Sequence, residues 1–245
     1  MTHIIRRIDD VIGKKVAPGV IERTAISPEE TASKALTVTH AVIEPGCKYG
    51  PPQTGAGEAF AYCISGHADL IYKGIYAPQL FTLCDFEGGR FSLIPPARDY
   101  YFLCRGEGPL RVLVVHYKLP KMQPKGMVEL FNKDMPPRTD YIPGSISRVI
   151  LPPEVLRVKG MEMFSNIEHE TDAPKHTVVW TPSPKAERVD YFIRGHAKFT
   201  VADKRFEVGP GTVVYGGPPP EKRVQENSDD DVLVYLCILG LLQPW

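Results

Sequence analysis

The sequence has no net charge to offer: 29 Lys and Arg stand against 29 Asp and Glu. Without a global field to draw in nucleic acid or anionic lipid, small molecules or other proteins are the expected partners. Long apolar runs are missing as well, and no window approaches the about 18 apolar residues of a membrane helix. The opening segment, "MTHIIRRIDDVIGKK", alternates charged and apolar residues and lacks the unbroken apolar stretch of a signal peptide. Cysteine is scarce, at positions 47, 63, 84, 104 and 237. An odd number with no CxxC spacing gives neither a disulfide framework nor a zinc site. A cytoplasmic, reduced protein is expected.

Pro (24) and Gly (21) are plentiful and spread along the chain. Between them lie short runs rich in Val, Ile, Tyr and Phe, among them "KALTVTHAVIEPG", "LRVLVVHYKL" and "DVLVYLCILG". Such runs, cut by turn residues at short intervals, predict an all-β sandwich or barrel. Helical periodicity shows only weakly, around "GMVELFNKD".

The chain also repeats itself. Residues 58–70, "EAFAYCISGHADL", and 187–199, "ERVDYFIRGHAKF", share six identities in thirteen, 129 positions apart (187 − 58). Each copy leads to a Phe-Glu, a Gly turn, an apolar strand and a Pro-rich turn: "FEGGRFSLIPP" and "FEVGPGTVVYGGPPP". Two β-barrel domains in tandem follow, expected at 1–120 and 148–245, with a linker over 121–147.

The order apolar strand, "PG", loop, "E-x-x-x-Y-x-I-x-G", then "G-x5-P" resembles the cupins, small double-stranded β-helix (jelly-roll) barrels. Two in one chain make a bicupin. Within bicupins, "PGCKYGPPQTGAGEAFAYCISG" with "FEGGRFSLIPPARDYYF" is most similar to the N-terminal half of the ureidoglycine aminohydrolase group. That resemblance implies conversion of ureidoglycine to ureidoglycolate, with manganese held in the C-terminal barrel. The implied ligand positions, however, are substituted. In the first barrel they fall on Ala59 and Tyr100. In the second they fall near Pro182 and Pro184, on Arg188, and on Lys222. Proline cannot coordinate a metal, and Arg stays protonated. No metal cofactor is therefore expected.

Strand alternation puts Arg188, Asp190 and Phe192 on one face, read as the barrel interior. Arg188 and Lys222 are the expected ligand-binding cations, since a guanidinium fork fits a carboxylate. Asp190 is either a structural partner for Arg188 or, with His176, a proton carrier. Phe192, and Tyr100 in the first barrel, are further expected ligand contacts. Ala59, Ala61, Cys63 and Ser65 share the first barrel's inner face, leaving either a pocket or room for large neighbours such as Phe91 or Phe102. His40 and His116 lie in apolar strands. His67 and His196 follow hairpin glycines, and Glu58 and Glu187 fall opposite the inner face, where a structural role is expected.

The expected function is that of a bicupin acting on a small, carboxylate-bearing metabolite by metal-independent proton transfer: an isomerase, cyclase, lyase or hydrolase. A ligand-sensing bicupin and a divergent metal-dependent aminohydrolase are the alternatives. A homodimer or larger assembly is expected from the apolar outer faces.

Overall fold

A computed structural model describes residues 3–50, 57–73, 81–94, 100–118, 129–132, 145–149, 164–181, 184, 186–219, 221–228 and 231–241. Apart from two short 3-10 turns, Ile8–Asp10 and Pro28–Glu30, its elements are strands. No helix among the described residues is long and apolar enough to cross a membrane.

The chain divides into two compact units. One contains residues 11–29 and 35–133. The other contains residues 134–245 together with 1–10 and 30–34. Chain order alone would assign 1–120 to the first barrel, but the first strand, His3–Arg7, pairs with Thr212–Gly216 at the edge of the second unit's larger sheet. Part of the segment expected to be a linker, Glu129–Asn132, is a strand paired with Arg90–Ile94. This is where weak helical periodicity stood in the sequence. A free strand edge with hydrogen bonds to offer outweighs a marginal local preference.

Each unit is a sandwich of a larger and a four-stranded antiparallel sheet. The repeat is visible strand by strand. Gly57–Ser65 lies between Leu110–Lys118 and Arg90–Ile94, as Ala186–Arg194 lies between Leu233–Leu241 and Thr212–Gly216. Even the irregularity is copied. Pairing skips Ile64 in the first copy (Cys63↔Val112, Ser65↔Arg111) and Ile193 in the second (Phe192↔Tyr235, Arg194↔Val234). Both isoleucines are bulge residues, 129 positions apart (193 − 64), so neither belongs simply to the outer face. The hairpin glycines that follow, Gly66 and Gly195, have φ of 96° and 77°. A Cβ at Gly195 would stand 2.4 Å from the Val232 carbonyl oxygen, so turn and packing both demand glycine there.

Among the described residues, the interior of the first barrel is packed with side chains. Ala59, Ala61 and Cys63 share a buried cluster with Tyr49, Leu70, Tyr100 and Phe102. The small inner residues thus make room for aromatic rings. Phe91 is not one of them: it stacks on Phe60 and Tyr62, on the opposite face of the sheet. Ser65, past the bulge, is exposed.

Glu187 illustrates why the outer face of the second copy is not water-facing. It is 2% exposed. Its carboxylate accepts hydrogen bonds from the Tyr215 hydroxyl (2.9 Å), the Ser33 hydroxyl and the Ser33 backbone N–H (3.3 Å). Tyr215 in turn accepts from the Ala32 N–H at 2.7 Å. The segment 30–34 is anchored to its unit by these bonds, while Arg6 and Glu30 form a bidentate ion pair beside it. Replacing Glu187 by Leu leaves Tyr215 and Ser33 unsatisfied in a dry place and is expected to cost about 3 kcal/mol. Urea unfolding followed by Trp fluorescence and circular dichroism checks this. A change within 0.5 kcal/mol contradicts the anchoring role.

Candidate functional site

In the strand Ala186–Arg194, Arg188, Asp190 and Phe192 point to the inner side of the second barrel, as alternation predicts. Phe192 stacks on Tyr235 with ring centroids 5.3 Å apart and joins the cluster of Phe199, Val214, Leu233 and Cys237. It is therefore core, deeper in the barrel than a ligand contact. Arg188 and Asp190 stand nearer the end of the strand, and Arg188 Nε donates to Asp190 Oδ1 at 2.7 Å. The Asp190 side chain is 1% exposed and that of Arg188 13%. Of the two roles open to Asp190, the geometry supports the partner of Arg188.

The opposing sheet supplies the second charge, one residue away from its expected place. Lys222 is exposed, and Arg223 is completely buried. The Pro-rich turn carries the chain one residue further before it re-enters the sheet, and in a pleated strand one position is the difference between outside and inside. Along Arg223–Asn227 the inner residues are Arg223, Gln225 and Asn227. Gln225 Nε2 donates to Asp172 Oδ2 (2.8 Å) and to Asn227 Oδ1 (3.1 Å), and Asn227 Nδ2 donates to the Ala173 carbonyl (3.0 Å).

Arg223 has no such arrangement. Its Nε and both Nη atoms are buried without a hydrogen-bond partner. Burial pulls its pKa down to about 10, with Asp190 opposing the shift, Arg188 adding to it, and Cys237 and Glu221 opposing it. The group remains a cation at neutral pH. Room for it comes from Gly216 on the facing sheet: a Cβ built there would lie 1.3 Å from Arg223 Nη2. Gly216 pairs with Arg188 on one side and His3 on the other, so the Arg223 guanidinium fills the gap between those two positions. Glu221, next in chain to Lys222, takes a hydrogen-bond contact of 2.7 Å with His3 Nε2.

The other expected residues do not join this cluster. His176 sits at the far end of the same sheet, where its carbonyl accepts from the Asn227 N–H at 2.9 Å. Asn227 is four strand residues from Arg223, about 13 Å. The loop before Thr177–Trp180 carries His176 to the other end of the barrel, which chain proximity to Arg188 did not reveal. Tyr100 is 8% exposed and packs edge-on against Phe102 in the first barrel's core, where burial raises its pKa. It is a filling residue. Cys63 donates to the carbonyls of Ser65 and Gly66 and is likewise buried core. His40 is fully buried, and His67 and His196 are exposed beside their turns.

The manganese that the aminohydrolase resemblance implies does not suit this donor set. At the implied ligand positions the described residues are Pro184, which is exposed, Arg188 and, in the place expected for Lys222, Arg223. Among the described residues no group of three or more His, Cys, Asp or Glu is placed to hold a metal ion. Pro182 lies outside the described residues.

Neither a protein-family model nor a curated protein matches the sequence. Solved structures do match the fold. Protein Ylba from E. coli superposes with a TM-score of 0.76 at 15% identity, over 99% of this chain and 92% of its own. A single-residue mutant of Bacillus subtilis oxalate decarboxylase gives 0.72 at 16%, over 100% and 79%. The formate complex of Lactobacillus farciminis oxalate decarboxylase gives 0.71 at 14%, over 98% and 86%. At these identities the likeness speaks for architecture, and it spans both halves: the chain is built as two tandem cupin-fold barrels.

Proposed function

We propose that the second barrel binds a small carboxylate on Arg188 and Arg223 and acts on it by proton transfer beside the bound carboxylate, as in isomerisation, elimination or hydrolysis. The observation that carries this reading is the Arg223 guanidinium, wholly buried with no hydrogen-bond partner. A buried cation without acceptors is destabilising, and an anion that supplies oxygen acceptors removes the penalty. Arg188, held by Asp190 and still partly exposed, gives the second prong and a way in from solvent. Two guanidinium groups neutralise a carboxylate and so acidify the C–H next to it, the electrostatic part of proton-transfer catalysis. That structural neighbours include oxalate decarboxylases accords with a carboxylate ligand, without assigning that reaction here.

Thermal unfolding with oxalate, malonate, malate, glycolate and gluconate tests the reading. At a hundredfold excess over Kd, a ligand stabilises the folded state by about 2.7 kcal/mol, several degrees in Tm for a chain of this size. At least one acid is expected to do so in the wild type and none in Arg223→Met. No shift across the panel overturns the proposal. Shifts without turnover in any of the acids would place the chain with ligand-sensing bicupins.

Arg223→Met is also expected to leave the ligand-free protein more stable, by about 1–3 kcal/mol, because a buried cation with no hydrogen-bond acceptor, only partly offset by Asp190, gives way to a packed apolar chain. A structural arginine predicts the opposite sign, so urea unfolding separates the two roles.

Gly216→Ala offers a gentler probe. Its Cβ collides with the tip of a flexible side chain, so the guanidinium is displaced while the sheet persists. Acid binding, read by calorimetry, is expected to weaken at least about tenfold with the circular dichroism spectrum unchanged. Unaltered affinity removes Arg223 from the site.

A further inference from the structure

His3 was not singled out by the sequence, yet the fold delivers it to the second barrel from the opposite end of the chain. Its strand, His3–Arg7, is the edge of the sheet that carries Arg188. Ile5, two residues on and so on the same face, packs against the barrel's inner cluster of Phe192, Phe199 and Val214. His3 is paired with Gly216, whose other neighbour is Arg188, and the Arg223 guanidinium lies over that glycine. His3, Arg223 and Arg188 thus form one row across the inner surface.

The imidazole is held by a carboxylate. Nε2 lies 2.7 Å from Glu221 Oε2, and the His3 side chain is 11% exposed. Since an ionised carboxylate only accepts, Nε2 carries the hydrogen and Nδ1 is left with its lone pair. Nδ1 is buried and has no hydrogen-bond partner. Glu221 therefore fixes the tautomer and orientation, the task a carboxylate performs for a general base in other active sites.

We infer that His3 Nδ1 is the proton-accepting group of the second-barrel site, positioned by Glu221 and supplied by the chain's first strand, so that this barrel's site is incomplete without the N-terminal segment. The inference rests on the carboxylate reading above. With a carboxylate seated on Arg223 and Arg188, the α C–H bond breaks, its electron pair delocalises into the carboxylate oxygens held by the guanidinium groups, and the proton passes to Nδ1. Return of that proton to carbon regenerates neutral His3. Two charged groups act on the ring, Glu221 by direct contact and Arg223 from over Gly216; Arg188 stands one strand further on. Burial and Arg223 together pull the imidazole below its ordinary pKa against the opposing effect of Glu221, keeping Nδ1 unprotonated at neutral pH.

The test uses full-length protein with malonate, whose methylene protons exchange with solvent measurably. In deuterium oxide, the wild type is expected to speed exchange of malonate's methylene at least about a hundredfold over buffer, the low end of general-base catalysis. His3→Gln is expected to bind malonate within about threefold of wild type while losing that acceleration, and Glu221→Gln to lose most of it. Exchange that persists in His3→Gln, or that never appears with bound wild type, overturns the role of His3 and leaves the carboxylate reading standing. Failure of malonate and every other acid to bind overturns both. A separate measurement needs no ligand: nitrogen NMR of histidine-labelled protein is expected to show His3 with Nε2 protonated and Nδ1 bare, and Arg223→Met is expected to raise its titration point. An Nδ1-protonated ring in the ligand-free protein overturns the inference by itself.

Discussion

A strand buried on both faces must resolve two sets of polar groups independently, and Ala186–Arg194 does so. Its odd-numbered face directs Glu187 to the Tyr215 hydroxyl and to Ser33, where each donor has a carboxylate oxygen. Its even-numbered face directs Arg188 and Asp190 inward, where they pair with each other. The pleat makes these two chemistries inseparable neighbours along the chain and strangers in space. Sliding the strand by one residue would bring Arg188 to the Tyr215 side and Glu187 into the barrel, so register here is specified by charge as well as by apolar contact.

The two barrels show how one architecture supports different interiors. In the first, Ala59 and Ala61 stand where the second carries Arg188 and Asp190, and the space is taken by Tyr49, Tyr100 and Phe102. Tyr49 satisfies its hydroxyl on Glu22 at 2.6 Å, so even the polar tip of a filling ring is accounted for. In the second, the inner face of the strand turns from Phe192, stacked on Tyr235, to the Asp190 carboxylate and the Arg188 guanidinium, and the facing strand turns Arg223, Gln225 and Asn227 inward. Gln225, Asn227 and Asp172 bond among themselves and to the backbone. Gln225 Oε1 and Asp172 Oδ1 are left over from that network, but Arg223 differs in kind: none of its three guanidinium nitrogens has a partner. Natural proteins keep such destabilising groups where function requires them, which is why the contrast between Gln225 and Arg223 on one strand carries weight.

The crossing of the N-terminal segment ties the site to the fold. Residues 1–10 belong to the compact unit of the second barrel although the whole first barrel intervenes in sequence. Through Ile5 the segment contributes to the barrel's packing, and through His3 to its polar end. A ring that must be oriented to within a hydrogen bond gains from sitting on a strand whose other residues are locked by sheet pairing and core contact.

The sequence by itself determined a good deal: the duplicated β unit, the hairpin glycines at 66 and 195, and the inward face of Arg188 and Asp190. Each follows from local physics, either a period of two or a backbone angle that only glycine takes freely. The repeat even placed the bulges, since Ile64 and Ile193 occupy one position in the two copies, though only pairing revealed that they were bulges. Tertiary structure decided what depends on distance in space. Whether Lys222 or Arg223 faces inward hinges on the path of a proline-rich turn, which composition does not encode to the nearest residue. The removal of His176 to the far end of the barrel hinges on where a loop re-enters the sheet. His3 became visible only when a strand more than two hundred positions from Glu221 in sequence was seen to pair beside it, because non-local strand pairing leaves no periodic trace in the chain.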